Sequence, residues 1–74
     1  MYFYDAIHKI AAENNFSMEQ VSLDAGRSIS FISASKSRRS DPKVDTAAMI
    51  AGVVGYKLCL IPENNVPDDA IVIG

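Results

Sequence analysis

Basic side chains are concentrated in the middle of this chain. Five of its seven Lys and Arg residues lie between positions 27 and 43, where only one carboxylate, Asp41, opposes them. Five positive charges and one negative charge leave this stretch at +4, whereas residues 58–74 hold three acidic residues and no basic one. A positive region on a chain whose net charge is −2 favours local binding to phosphate. A solvated polar surface would have the same composition, so the surrounding pattern must decide between the two.

Catalytic chemistry finds little support in the residue types present. The chain has a single histidine, His8, and a single cysteine, Cys59, so it offers no nucleophile–base pair and no cysteine-based metal site. It also lacks a glycine-rich phosphate loop. We therefore expect no enzyme, no cofactor and no bound metal. Cys59 lies in an apolar run, residues 58–61, and is expected to be a buried structural thiol.

Size and composition indicate one small globular domain. The chain has 74 residues, of which 49% are hydrophobic and 22% charged, a balance typical of folded proteins. Its N-terminus lacks the basic start and long apolar run of a signal peptide, and no stretch has the roughly 18 apolar residues of a membrane span. We expect a cytoplasmic protein that does not contact a membrane.

Hydrophobic spacing and capping residues predict four helices, at residues 2–14, 18–25, 29–36 and 44–54. Ser17 and Ser28 are the expected N-caps of the second and third helices. Gly26 and Gly55 are placed where a left-handed residue ends a helix. One face of the first helix is expected to enter the core through Phe3, Ile7, Ile10 and Ala11.

The pattern changes after Gly55. Residues 56–61 and 70–73 are short and apolar or β-branched, and prolines interrupt the stretch between them, so they predict two strands of a β-hairpin. A lone hairpin is only marginally stable in water, so it must pack on the helices or pair with a second copy of the chain. The expected organisation is a helical domain at 1–56 followed by a hairpin extension at 57–74, through which the chain forms a homodimer.

The second and third predicted helices are separated by one short turn at Gly26, the arrangement that defines a helix-turn-helix unit. Ser22 supplies a small residue four positions before the glycine, and Ile32 supplies an apolar anchor six positions after it. The third helix is rich in serine. Short neutral hydroxyls can donate or accept hydrogen bonds, which suits a surface placed against base edges or phosphates.

Residues 17–33 resemble the helix-turn-helix of the Cro/phage-repressor-like, or XRE-type, regulators. The resemblance continues from Pro42 to Gly55 and covers about residues 3–56. The chain departs from the family pattern at several positions: Met18 stands where glutamine is common, Ser22 where alanine is usual, Arg27 where a small aliphatic residue is usual, Ser35 where an aliphatic is common, and Lys36 where an acid is common.

The resemblance implies a mainly α, four-helix, lambda-repressor-like domain whose third helix, at about 28–36, lies in the major groove of double-stranded DNA. It implies that Ser28, Ile29, Ser30 and Ser33 face the bases and that Phe31 lies at the margin, against a thymine methyl or the Arg38–Arg39 loop. It further implies phosphate contacts by Lys36, Arg38, Arg39 and Lys43, with Arg27 joining them or reading a base.

The function expected from this resemblance is that of a sequence-specific, repressor-like transcriptional regulator that acts as a homodimer without a cofactor. The alternative is a protein-interaction adaptor, or an antitoxin-like regulator with a protein partner, built on the same fold.

Overall fold

Four α-helices make up most of the computed structural model, which describes residues 1–74. They are α1 (Phe3–Glu13), α2 (Met18–Asp24), α3 (Phe31–Ser37) and α4 (Val44–Val53), and a single turn of 3₁₀ helix follows at Glu63–Asn65. The expectation of a mainly helical chain with four helices is confirmed. No helix has both the length and the apolar character required to cross a membrane.

The core lies where the four helices meet. The predicted apolar face of α1 is buried, and Tyr4 of the same helix is only 1% exposed. Each of the other helices contributes a side chain that is at most 1% exposed, namely Val21 from α2, Ile32 from α3 and Ile50 from α4. Full burial of such a side chain contributes about 1.5–3 kcal/mol. The core therefore fixes how the short helices α2 and α3 lie against α1 and α4.

Every helix ends in the same way, with one residue in the left-handed region. The φ angles are +61° at Asn15, +77° at Gly26, +55° at Arg39 and +84° at Gly55. In each case the next amide donates to the carbonyl five residues earlier, as when Arg27 N donates to Ser22 O at 3.0 Å. The predicted ends at Gly26 and Gly55 are confirmed. The left-handed residue at Arg39 was not predicted, because arginine rarely adopts this conformation.

The two predicted N-caps have different outcomes. The Ser17 hydroxyl accepts a hydrogen bond from Gln20 N at 3.0 Å, so the predicted start of α2 is confirmed. The prediction at Ser28 is wrong: α3 begins at Phe31, Ser30 is its N-cap residue, and no side chain of Ser30 caps it. Instead, the Ser28 carbonyl oxygen accepts a hydrogen bond from Phe31 N at 3.0 Å, and this bond closes a turn before the helix.

The predicted C-terminal β-hairpin is wrong, because the structure contains no strand. The segment expected to be the second strand pairs its backbone with the N-terminus instead. The Met1 amino group donates to Val72 O at 2.9 Å, and Gly74 N donates to Met1 O at 3.2 Å. Ile71 packs against the helical core. Of this segment only Ile71 packs on the helices, whereas Val72 and Ile73 stay exposed, and residues 56–61 belong to neither a helix nor a strand.

Burial of Cys59 was also predicted wrongly. Its side chain is exposed, as is that of Leu60, because residues 57–61 do not form the strand that would have turned them toward a core. Side chains alternate between two faces only in a paired strand, so without a strand this segment has no face that turns toward the core.

Candidate nucleic-acid interface

The turn between α2 and α3 places the two helices against each other. Gly26 adopts a φ of +77°, and its amide donates to Leu23 O at 2.9 Å. A Cβ added to Gly26 would meet no atom within 4 Å, so glycine is favoured there by backbone conformation and not by crowding. Ala25, immediately before it, is buried, whereas Arg27 and the residues that follow are exposed. Buried Ala25 thus packs the end of α2 on the core, and the chain from Gly26 to Ser30 runs along the surface.

Ser22 joins the two helices through its hydroxyl. This side chain is fully buried; it donates to Met18 O at 2.9 Å and accepts a hydrogen bond from Ile32 N at 3.2 Å. The Ile32 amide is in the first turn of α3, where backbone N–H groups have no partner within the helix. Ser22 of α2 thus supplies the cap that Ser30 does not supply to α3.

The residues expected to face bases lie on one exposed stretch of chain. Ser28, Ile29 and Ser30 belong to the turn before α3, and Ser33 lies in the helix itself. All four are exposed, and Ile29 is 55% exposed despite its apolar side chain. The predicted recognition helix is therefore shorter than residues 28–36, and three of its four expected base-facing residues precede it.

Three of the five clustered basic residues surround a polar pocket. Arg27, Arg38 and Lys43 line this pocket of about 290 Å³ between α1, α3 and the start of α4. None of the three forms an ion pair with a carboxylate. Arg27 is oriented by a hydrogen bond to Thr46 Oγ1 at 2.8 Å, and its guanidinium carbon lies 5.2 Å from the centre of the Phe31 ring. Phe31 therefore supports Arg27, a partner not foreseen for it from the sequence.

The other two basic residues of the cluster attach α3 to α1. Lys36 Nζ lies 3.8 Å from one carboxylate oxygen of Asp5, and Arg39 Nη1 lies 3.7 Å from the other. Lys36 Nζ also lies 3.1 Å from Nδ1 of His8. Their assignment as phosphate contacts stays a prediction, but a carboxylate already offsets part of their charge.

Tyr2 fixes the end of α3. Its hydroxyl donates to Ser40 O at 2.6 Å, and the Arg39 guanidinium carbon lies 4.2 Å from the centre of its ring. Burial raises the pKa of the Tyr2 hydroxyl above its ordinary value; the Arg39 charge acts in the opposite direction, and the Asp41 carboxylate raises it further. These contacts hold the Arg38–Arg39 loop beside α1.

Several residues of this surface could not be selected from the sequence. Neither Asp5 nor Tyr2 nor Thr46 was assigned a role at this surface from the sequence. Each acts across 19 or more positions of the chain, as Arg27 and Thr46 do, and local spacing carries no signal for such contacts. No three His, Cys, Asp or Glu side chains are grouped so that they could hold a metal ion.

Comparison with known proteins finds no matching family model, no matching curated protein and no matching solved structure. The functional assignment therefore depends on the chain's own residues.

Proposed function

We propose that this protein is a sequence-specific, double-stranded-DNA-binding transcriptional regulator with a lambda-repressor-like helix-turn-helix fold. The observation that carries the proposal is that three basic residues without carboxylate partners line one pocket beside α3, while turn residues 28–30 before this helix and Ser33 within it are exposed. Hydroxyls and one apolar side chain can read base edges, while the neighbouring cations contact phosphates and set the orientation of the helix on the duplex.

The rigidity of α3 supports this role. A recognition element must keep its side chains in one arrangement, and α3 has only seven residues, too few to be stable alone. Ser22 caps its start, the buried Ile32 side chain anchors its first turn in the core, and Tyr2 holds the loop at its end. The helix is thus fixed from three sides while Ser33 stays exposed.

We propose that the active form is a homodimer that associates through the apolar C-terminal segment. Residues 56–74, α1 and α4 line a groove of about 1360 Å³ that is mostly apolar. Several large apolar side chains of this segment remain exposed: Tyr56, Leu58, Leu60, Ile61, Val72 and Ile73. A second copy covering them would give two α3 helices, as required to bind half-sites about 34 Å apart.

Dimerisation is tested by sedimentation equilibrium of the wild type and two variants. Leu60→Asp places a charge on a fully exposed apolar residue that lines the groove, and is expected to give monomers. Leu23→Asp is the matched control, because Leu23 is 47% exposed on α2 and lies outside the groove. A wild type that stays monomeric with and without DNA contradicts the dimer.

DNA binding is tested by selecting bound duplexes from a random pool and measuring affinity against salt. Each phosphate contact contributes about −0.9 to the slope of log affinity against log salt. Three contacts per protomer predict a slope of about −5.4 for a dimer. Arg38→Ala should weaken binding to all duplexes alike, Ser33→Ala should change the selected sequence, and the exposed Lys57→Ala should do neither. Failure to enrich any sequence, with no retention of duplex at low salt, refutes the proposal.

The apolar groove favours one alternative, a protein-interaction adaptor or antitoxin-like regulator. In that case a protein partner, and not a second copy, covers residues 56–74. Leu60→Asp would then abolish partner binding while leaving the protein monomeric throughout. The two functions are separated by the duplex selection, since a pure adaptor enriches no DNA sequence.

A further inference from the structure

The pocket beside α3 has an inner wall as well as a charged rim. The rim is formed by Arg27, Arg38 and Lys43, and two residues of the helical interior, Tyr4 and Ser35, also line the pocket. The N-terminus of α4 opens onto it too, because its N-cap Lys43 and its first-turn residue Thr46 are lining residues. Residues from three helices therefore converge on one small polar space.

The two inner hydroxyls have no hydrogen-bond partner within the chain. Tyr4 is 1% exposed and Ser35 is 2% exposed. Ser35 accepts hydrogen bonds through its carbonyl only, leaving its Oγ free. Neither hydroxyl is sealed from solvent, because no fully enclosed side-chain oxygen lacks a partner. Because both residues line the pocket and neither hydroxyl is used within the chain, each can donate a hydrogen bond to a ligand bound there.

Charge selects the kind of ligand. Three cations and one carboxylate, Asp41, line the pocket, which leaves it at +2. The Thr46 hydroxyl accepts a hydrogen bond from Arg27 and so orients one of these cations. Guanidinium groups donate in a planar fork that matches tetrahedral oxyanions. At about 290 Å³ the pocket is at the lower limit for small-molecule sites, which suits a single anionic group with a few waters.

We propose that this pocket binds a phosphate group, with Arg27, Arg38 and Lys43 pairing with its charge and the hydroxyls of Tyr4 and Ser35 donating to its oxygens. The inference rests on the proposed function and deepens it, because the pocket is lined by Phe31 and Ser35 of α3 and could receive a backbone phosphate of bound DNA. A free phosphate-bearing ligand has the same chemistry and would compete for the same donors. The first test separates these sources.

The test has two arms that use the same variants. In the first arm, inorganic phosphate is titrated into the full chain and amide shifts are followed by NMR; in the second, a selected duplex is titrated by fluorescence anisotropy. Tyr4→Phe keeps the buried ring and removes one donor, so it should weaken binding about tenfold in the arm that uses the pocket. Ser37→Ala removes a hydroxyl from an exposed residue that lines neither the pocket nor the apolar groove, and should change neither arm.

Ser35→Ala repeats the test with a second donor, and Ser37→Ala, at an exposed serine of the same helix that does not line the pocket, is its control. An effect of the Tyr4 and Ser35 variants in the duplex arm identifies a DNA phosphate, and an effect in the inorganic phosphate arm identifies a free one. Variants that bind like the wild type in both arms overturn the pocket assignment. A wild type that binds inorganic phosphate at the pocket but no duplex refutes the proposed function alone.

Discussion

Replacing Ser22 by alanine removes one oxygen atom from the contact between α2 and α3, and is expected to destabilise the protein by about 1–2 kcal/mol. The hydroxyl is fully buried and accepts the Ile32 amide at 3.2 Å. Without it, that N–H group stays buried without a partner, a loss of about 1–3 kcal/mol. Alanine recovers part of this, up to about 0.7 kcal/mol, because it is the better helix former in α2.

Urea unfolding at equilibrium measures the change, and a thermal scan should show a decrease in Tm of about 4–8 °C for each kcal/mol in a domain of this size. Hydrogen exchange of the Ile32 amide should accelerate by more than that of core amides in α1, because the loss of the cap is local to α3. Ser33→Ala is the control, since Ser33 is an exposed serine of the neighbouring helix α3. The reasoning is refuted if Ser22→Ala is as stable as the wild type, or if Ser33→Ala costs as much.

Four further predictions concern the turn, the loop and the charges. Gly26→Ala should cost about 1 kcal/mol in urea unfolding through its φ of +77° alone, with no steric clash; a loss near 4 kcal/mol would show crowding instead. Arg39→Gly should be about 1 kcal/mol more stable than Arg39→Ala, because both lose the same contacts and only glycine relieves the left-handed backbone; equal stability would contradict this. Because the folded pKa of Tyr2 is raised, its contribution to stability is fully present below the ordinary tyrosine pKa and is lost as pH rises through the folded pKa. Tyr2→Phe should therefore flatten that alkaline decline in a pH series of unfolding curves, and an unchanged decline would contradict this. Asp5→Asn should release Lys36 and Arg39, strengthen duplex binding and steepen its salt dependence, while Glu13→Gln, with the same charge change, should have a smaller effect.

The helices were predictable because their signals are local. Apolar spacing set the buried face of α1, the Ser17 hydroxyl began α2, and Gly26 and Gly55 ended α2 and α4. Each signal acts within five residues along the chain, which is the range over which helix geometry places side chains in contact.

The start of α3 and the C-terminal segment failed because their partners are distant in sequence. Ser28 has the residue type of an N-cap, but the cap comes from Ser22, ten positions from the Ile32 amide it binds. Residues 70–73 have the composition of a strand, but their backbone pairs with Met1, at the other end of the chain. Residue types can indicate that a segment is extended and packs against apolar groups, but they do not indicate which part of the molecule it contacts.

Helix α1 determines how the basic cluster can act. Counted along the sequence, five cations appear equivalent, and all five were assigned to DNA. The Asp5 carboxylate lies within 3.8 Å of both Lys36 and Arg39, and the Arg39 guanidinium also covers the Tyr2 ring, so two of the five hold the end of α3 against α1. The remaining three surround the pocket lined by Tyr4 and Ser35. This division predicts that the slope of log affinity against log salt corresponds to about three phosphate contacts per protomer. A slope that corresponds to about five contacts would require the Asp5 ion pairs to break when DNA binds.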